Sequence, residues 1–468
     1  MINLSLLKNC SSLIDTPSEQ VSSQSLKICT DNRRYEHPSC FVAIPGAKVN
    51  PLDLIEAQLK LGLPLVIFEA NKINLDKVDG LKILYPKTVF LSVKDSVTFL
   101  QEISHAHIHE WKSLNSRNTV FAISGSNGKT THKEMLSHIL KELRPGKIVS
   151  TEKNNNNHLG VPLTLLNVTQ ETEIVVLELG SNHPGEIKVL CDIAAPNAGL
   201  TTNIGATHLE FFGSEEQVFL EEGYLFHAIN QMTNGEGFYL INIDDKFLKT
   251  FKPFSGAITY GLSSSAMAQI SYKEETTEMT FQGKTLSVCN SSVTGKHNKL
   301  NLITSAFIAL NLYPNLKSEI EIAASHFRPT KNRSEWIHVK GAEIFLDAYN
   351  ANPSSMKASL EGFKEFVGDK NASLKETCVI LGDMNELGEK SSEYHTDVAQ
   401  FVKSLGFQNV YFVGRYAHDY LNGFPEAQGR ESAASFKNEF NNDLLKKYHF
   451  HFIKGSRSLQ LESLFDIT

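Results

Sequence analysis

The stretch Thr119-Val-Phe-Ala-Ile-Ser-Gly-Ser-Asn-Gly-Lys-Thr-Thr131 decides how the chain is read. Its first six residues are mostly apolar and run into a glycine, the pattern of a buried strand that ends in a turn. After Thr131 the apolar positions Met135, Leu136, Ile139, Leu140 and Leu143 keep helical spacing. Strand, glycine turn, Lys-Thr and helix together make a cradle for nucleotide phosphates. Gly125 and Gly128 let backbone N–H groups approach an anion, and the helix start adds its positive end. Ser126, Asn127, Lys129, Thr130 and Thr131 complete the cradle. Lys129 is expected to reach the terminal phosphates, and the Thr130 hydroxyl to ligate Mg²⁺. The loop is shorter than the G-x-x-x-x-G-K-[ST] pattern, because Ile123 stands at the position of its first glycine.

Outward from this loop, strands and helices alternate, which predicts α/β architecture with parallel sheets. A chain of 468 residues holds two to four domains. Residues 1–112 give short strands and helices, including strands over 39–44 and 65–68. The polar stretch 105–118 reads as a lead into a new strand. Residues 113–325 form the nucleotide region, and 326–333, with its proline, reads as a second junction. Residues 326–468 repeat the rhythm, with strands over 344–347, 378–381, 410–413 and 449–453, as a small doubly wound domain.

The formal charge of -7, with no lysine-arginine stripe, argues against a nucleic-acid partner. Six scattered cysteines without a C-x-x-C pair read as reduced thiols, not as disulfides or a zinc site. No run approaches ~18 uninterrupted apolar residues, so no membrane insertion is expected. The N-terminus lacks the apolar core of a signal peptide, and a cytoplasmic location follows as an expectation.

A second apolar strand over 174–179 carries Glu178 near its tip, in Leu-Glu-Leu-Gly-Ser-Asn-His-Pro-Gly-Glu-Ile (177–187). A carboxylate beside a phosphate loop is well placed to hold Mg²⁺, a hard ion that prefers oxygen. A third strand leads into Asn-Ile-Gly-Ala-Thr-His-Leu-Glu (203–210), which sets His208 in a loop where a metal or phosphate role is expected.

With these motifs, TEKNNNNHLGVPLTLL (151–166), GKHNKLN (295–301), DAYNANPSSM (347–356), LGDMNELGE (381–389) and KGSRS (454–458) stand in a fixed order. In that order the chain resembles the Mur ligase family. Within it the likeness is to the ligases that join D-alanyl-D-alanine to UDP-N-acetylmuramoyl-tripeptide. A weaker likeness covers DNRR (31–34) and FVAIPG (41–46).

The resemblance implies three domains: an N-terminal α/β UDP-binding domain (1–112), a central P-loop ATPase-like parallel sheet (113–325) and a C-terminal Rossmann-like domain (326–468). It implies a monomer that uses ATP and Mg²⁺. Lys129 and Thr130 match the phosphate-loop residues, and Glu178 and His208 match magnesium ligands. Asn298 matches a base contact, and Arg333 and Asp347 match residues that hold phosphate and ribose once the last domain closes. Tyr349, Asn350 and Asn352 match positions that engage the incoming amine. Asp31, Arg33, Asn156, Asn157, Ser456 and Arg457 match positions on the peptide-nucleotide substrate. Bland alternatives exist for several of them. Arg333 would serve equally as a surface ion-pair partner, Asp347 or Asn298 as a cap, Tyr349 as a packed aromatic, and residues 154–157 as turn material.

The chemistry expected is activation of a carboxylate as an acyl phosphate, followed by amine attack. Two rivals stand beside it. A sister ligase, adding diaminopimelate or lysine or extending folate with glutamate, would carry different specificity motifs; no Asp-Asn-Pro-Arg stands in the last region. An inactive nucleotide-binding paralogue would need none of Lys129, Thr130, Glu178, His208, Arg333 and Asp347. One departure touches the UDP end, where Asn50-Pro51-Leu52 replaces the family's Asp-Gly-His.

The other departure is Glu222. Related ligases carry a lysine just before a glycine in this segment, carbamylated by CO₂ to help hold a second Mg²⁺. Here VFLEEGYLF (218–226) puts Glu222 at that position, and no lysine lies between Lys188 and Lys246. Glutamate supplies the same charge with about 4 Å less reach. A catalytic role is expected for Glu222 together with Lys129 and His208, and Glu222→Ala is expected to impair turnover far more than Glu221→Ala. Turnover measured after depletion of CO₂ and bicarbonate should equal that in bicarbonate-supplemented buffer; a bicarbonate requirement would refute the substitution of glutamate for carbamate.

Overall fold

Three successive runs of the chain supply three sheets in the computed structural model, which describes residues 1–46 and 50–465. The last three residues of the final expected region lie outside them. The first sheet has the order β1 (Ile2–Asn3), β2 (Ser25–Cys29), β3 (Ser39–Ala43), β4 (Leu65–Glu69), β5 (Val89–Val93), parallel from β2 onward. β3 and β4 are buried along their whole length, as strands covered on both faces must be.

The second sheet contains β6 (Thr119–Ser124), β7 (Ile148–Ser150), β8 (Ile174–Glu178), β9 (Ala198–Thr201), β10 (Phe238–Asn242), β11 (Ala257–Gly261), β12 (Ala268–Tyr272), β13 (Thr277–Phe281) and β14 (Lys284–Val288). Their spatial order is β14-β13-β12-β11-β10-β9-β6-β8-β7. Later strands lie on both sides of β6, so the chain reverses direction across the sheet there. A crevice opens beyond the carboxyl ends of the strands at such a point. The expected strand–helix alternation fails past β11. There β12, β13 and β14 form an antiparallel meander. Gln282 and Gly283, both at positive φ (48° and 74°), make the tight turn between β13 and β14.

The third sheet has the order β15 (Glu335–Val339), β16 (Ala342–Asp347), β20 (Phe450–Lys454), β17 (Thr377–Gly382), β18 (Val410–Val413), β19 (Gln428–Arg430). β15 is antiparallel and the others are parallel. The last strand of the chain therefore inserts between β16 and β17. The short strands β15 and β19 were not legible from apolar runs.

The polar stretch 105–118 is not a linker. Most of it belongs to a 19-residue helix, Ser96–Leu114, whose N-cap Asp95 accepts the Thr98 N–H at 2.6 Å. The helix serves two cores. Phe99, Leu100 and Ile103 pack into the first domain with Leu91 and Val93. Ile108 and Trp111 pack into the central core with Val120 and Val175. Its polar letters, His105, His109, Glu110 and Lys112, mask a buried face in the sequence. Trp111 is 2% exposed and donates its indole N–H to the Thr172 carbonyl at 3.0 Å. Trp111→Ala is expected to cost about 3–5 kcal/mol of stability by denaturant unfolding, because it empties this joint and orphans that carbonyl.

Candidate active site

At the end of β6, Ile123 stands in register with Glu178 of β8, and Ser124 with Thr201 of β9. Gly125 then turns the chain with φ of 118°, and a Cβ there would meet Thr202 Oγ1 at 2.2 Å, so only glycine fits. Three amides of the turn are bonded inside the protein. Gly125 N–H donates to Glu222 Oε2 (2.7 Å), Ser126 N–H to the Asn203 carbonyl (2.8 Å), and Asn127 N–H to Asn203 Oδ1 (3.1 Å). The helix Lys129–Leu143 starts at Gly128. The amides of Lys129, Thr130 and Thr131 in its first turn have no intrahelical acceptor. They remain for an anion at the helix's positive end. Gly125, Ser126 and Asn127 thus shape the cradle, while the helix start supplies donors.

Glu178 ends β8 with its side chain against this helix start. Its Oε1 accepts from the Thr130 hydroxyl (2.9 Å) and from Asn156 Nδ2 (3.0 Å). Its Oε2 is buried with no hydrogen-bond partner. A carboxylate oxygen in that position, next to a hydroxyl, fits a hard divalent cation. Among the described residues no group of three or more His, Cys, Asp and Glu is gathered for a metal. The asparagine tract is structured: Asn156 also accepts the Gly180 N–H on its carbonyl (2.9 Å), and Asn157 Oδ1 accepts the Gly160 N–H (2.9 Å).

His208, at φ 51°, starts a four-residue helix and places Nδ1 2.5 Å from Glu386 Oε2 of the last domain. The His208 imidazole beside it holds the Glu386 carboxyl below its usual range. His208 and Glu178 make no hydrogen bond to each other but line the same cleft.

Glu222 was expected to serve a metal or, in the bland alternative, to face solvent; it does not face solvent. It is 1% exposed and lies beneath the phosphate loop, with Oε2 on Gly125 N–H and Oε1 3.6 Å from Lys129 Nζ. Burial pushes its pKa up, opposed by the Lys129 charge and the Gly125 N–H. Lys129 also donates to the Gly125 carbonyl. Glu221 is not a solvated neighbour either. It accepts from Ser181 Oγ (2.9 Å), Gly185 N–H (2.7 Å) and Ile187 N–H (2.7 Å), capping the helix Glu186–Ala194. Comparing alanine variants at 221 and 222 therefore mixes stability with function.

The last domain sits on the loop. Asn352 N-caps the helix Pro353–Asp369 with a reciprocal Ser355 bond, and its Nδ2 donates to Asn127 Oδ1 at 2.6 Å. Asn127 in turn donates to Ser354 Oγ at 2.9 Å. Arg333 stacks on the Tyr349 ring, 3.8 Å from its centroid. Asp347 pairs with Lys454. Asn298, 6% exposed, donates to the Thr294 carbonyl at 3.1 Å from within its helix.

One cleft of about 650 Å³ gathers Ser126 to Thr131, Asn156, Asn157, Glu178, His208, Asn298, Arg333, Asp347, Tyr349 and Asn350. Gly125, Glu222 and Asn352 support it from behind. Four residues expected on the peptide-nucleotide substrate lie elsewhere. Asp31 caps a short turn and pairs with Arg33 in solvent. Ser456 is buried and accepts the Asn385 N–H, and Arg457 pairs with Glu462. Asn50 likewise makes only a local turn, accepting the Leu52 N–H. The sequence reading passed over Lys454 and Glu386, although both stand inside quoted motifs. Their letters carry no sign of what they face.

Comparison with known proteins bears on this geometry. Residues 123–309 match the Mur ligase middle domain, and residues 332–450 match the Mur ligase, glutamate ligase domain. The UDP-N-acetylmuramoyl-tripeptide–D-alanyl-D-alanine ligase of Bacillus subtilis is 29% identical over 453 residues, covering 93% of this chain and 92% of that protein. The ligase of the same name from Rickettsia prowazekii is 30% identical over 411 residues, covering 82% and 86%. Among solved structures, MurF from Acinetobacter baumannii superposes with a TM-score of 0.80 at 23% identity, over 99% of this chain and 97% of that one. MurF ligase from Thermotoga maritima in complex with ADP gives 0.76 at 23%, over 94% and 96%.

The buried Lys129–Glu222 pair changes what a lysine deletion should do. Lys129→Ala is expected to lose about 3 kcal/mol of stability, since it strands a buried carboxylate. Adding Glu222→Gln should recover most of that loss in thermal unfolding, while ligation remains absent in both variants. Equal melting of the wild type and Lys129→Ala would contradict the pairing.

Proposed function

This chain belongs to the Mur ligase family, and from that premise we propose that it joins D-alanyl-D-alanine to the peptide carboxylate of UDP-N-acetylmuramoyl-tripeptide at the expense of ATP, in peptidoglycan precursor synthesis. The observation that carries the chemistry is the cleft itself. A helix start with unbonded amides faces a carboxylate with one unpartnered oxygen, under a loop of the last domain.

A carboxylate does not condense with an amine unaided. A substrate carboxylate oxygen first bonds to the γ-phosphorus of ATP, and the bond to the β,γ-bridging oxygen breaks, releasing ADP. The amine nitrogen then bonds to the acyl carbon, phosphate leaves with the former carboxylate oxygen, and the nitrogen loses its proton. Amides of Lys129, Thr130 and Thr131 hold the phosphates, and Lys129 and Arg333 offset the charge that develops on the transferring group. Asn298 and Asp347 hold the nucleoside. Thr130 and Glu178 would hold Mg²⁺, which supplies charge neutralisation at the phosphate oxygens. His208 borders the same space and ties it to Glu386. Tyr349 and Asn350 receive the amine, and Asn156 and Asn157 lie on the side of the carboxylate. Glu222 acts from beneath, by keeping Gly125 and Lys129 in place. The region before the helix Ser96–Leu114 takes the UDP end. Water is kept from the acyl phosphate by the last domain, whose Asn352 and Ser354 already contact the phosphate loop.

Purified chain, ATP, Mg²⁺, UDP-N-acetylmuramoyl-tripeptide and D-alanyl-D-alanine should yield one equivalent each of ADP, phosphate and UDP-N-acetylmuramoyl-pentapeptide by mass spectrometry. Single amino acids in place of the dipeptide should give no product. ATP turnover with a single amino acid and none with the dipeptide would overturn the assignment.

A further inference from the structure

Lys454 has no part in the mechanism above, yet it borders the cleft and is only 2% exposed. It ends β20, in register with Asp347 of β16 on one side and Leu381 of β17 on the other. The other members of that strand end, Phe452 and Ile453, are apolar core. A buried ammonium at this place is costly unless its protons are used. They are used on two different structures. One proton goes to Asp347 Oδ2 and another to the Asn350 carbonyl at 3.1 Å. The Ser359 hydroxyl, from the helix Pro353–Asp369, donates to the same Asp347 Oδ2 at 3.1 Å. Both donors load one oxygen, which fixes the plane of the carboxylate. Asp347 Oδ1 is left without a hydrogen bond among the described residues.

We infer that Lys454 is a positioning residue that couples the nucleotide end of the cleft to the amine end, by orienting the Asp347 carboxylate and fixing the Asn350 carbonyl with one ammonium. The inference rests on the assignment of Asp347 to the nucleotide and of Tyr349 and Asn350 to the incoming amine. In the segment between Asp347 and Asn352, Ala348 and Ala351 are buried in two apolar clusters, while Tyr349 and Asn350 between them have few other anchors. Tyr349 is held by the Arg333 stack, and Asn350 Oδ1 bonds only the adjacent Ala351 N–H. Without Lys454 the Asn350 carbonyl loses this partner, and Tyr349 and Asn350, between the packed Ala348 and Ala351, are less constrained where the amine must be aligned. Burial would raise the Asp347 pKa, but the Lys454 charge and hydrogen bond, together with the His297 and Arg333 charges, make the net shift downward.

The test uses the full chain with K454M, K454R and D347N, comparing KM for ATP, D-alanyl-D-alanine and UDP-tripeptide, kcat, and thermal melting. K454M should raise KM for both ATP and D-alanyl-D-alanine by roughly 10-fold or more, with KM for UDP-tripeptide within about twofold of wild type. D347N should raise KM for ATP alone, and K454R should fall between K454M and wild type for both affected substrates. A K454M that copies D347N, or one that loses activity only in proportion to lost folded protein with all KM values unchanged, overturns the inference. If K454M does not fold, K454R decides: KM for ATP and for the dipeptide must rise together, and a change in one or neither refutes the coupling. A wild-type chain that is inert toward D-alanyl-D-alanine would instead count against the assigned reaction.

Discussion

A phosphate loop works only if its backbone is held in one conformation before the anion arrives, and here a buried carboxylate does much of the holding. Glu222 takes the Gly125 N–H and stands beside Lys129, while Asn203 takes the next two amides with its carbonyl and side-chain oxygens. Gly125 is forced into its turn by the close approach of Thr202. With these amides consumed inside the protein, the donors that remain are those of the helix start. The anion site is therefore narrower and more directed than a glycine-rich loop alone suggests. Its neighbours follow from sheet order: β8 and β9 flank β6, so Glu178 and Thr201 must stand on either side of the loop.

The same loop is the contact point for the last domain. Asn127 meets Asn352 and Ser354, His208 meets Glu386, and Lys296 meets Glu365. Most of these contacts are polar and partly exposed, unlike the apolar joint through Trp111 that binds the first domain to the second. A polar seam of this kind opens at lower cost than an apolar one. The first joint is thus apolar and buried, and the second is a set of polar contacts between the last domain and the central one. The seam also explains why Asn352 does not border the cleft. It is committed to capping its own helix and to bridging the domains.

Much of the site was legible because its signals are local. A strand, a glycine turn and a Lys-Thr at a helix start lie within a dozen residues, and each leaves its own mark. The tip of β8 and the asparagine tract were readable for the same reason. The elements that escaped have weak or misleading local signals. The helix Ser96–Leu114 spends its polar residues where two cores leave gaps, so its second half looks like a linker. The strands β12 to β14 are short and only half-buried on alternating positions. Asp31, Arg33, Ser456 and Arg457 satisfy one another or near neighbours in the structure. A motif letter cannot reveal that commitment.

The sequence by itself determined the α/β class, the phosphate cradle, the order of the motifs and the class of reaction they serve. All of these depend on neighbours along the chain. Only the tertiary structure decided which polar and charged groups satisfy each other at long range. Glu222 reaches Gly125 across 97 residues, Lys454 reaches Asp347 across 107, and Asn352 reaches Asn127 across 225. Lys454 meets Asp347 only because the last strand inserts beside β16. A glutamate or lysine costs too much to bury alone, so its partner is set by strand order and helix docking, which the spacing of letters does not record.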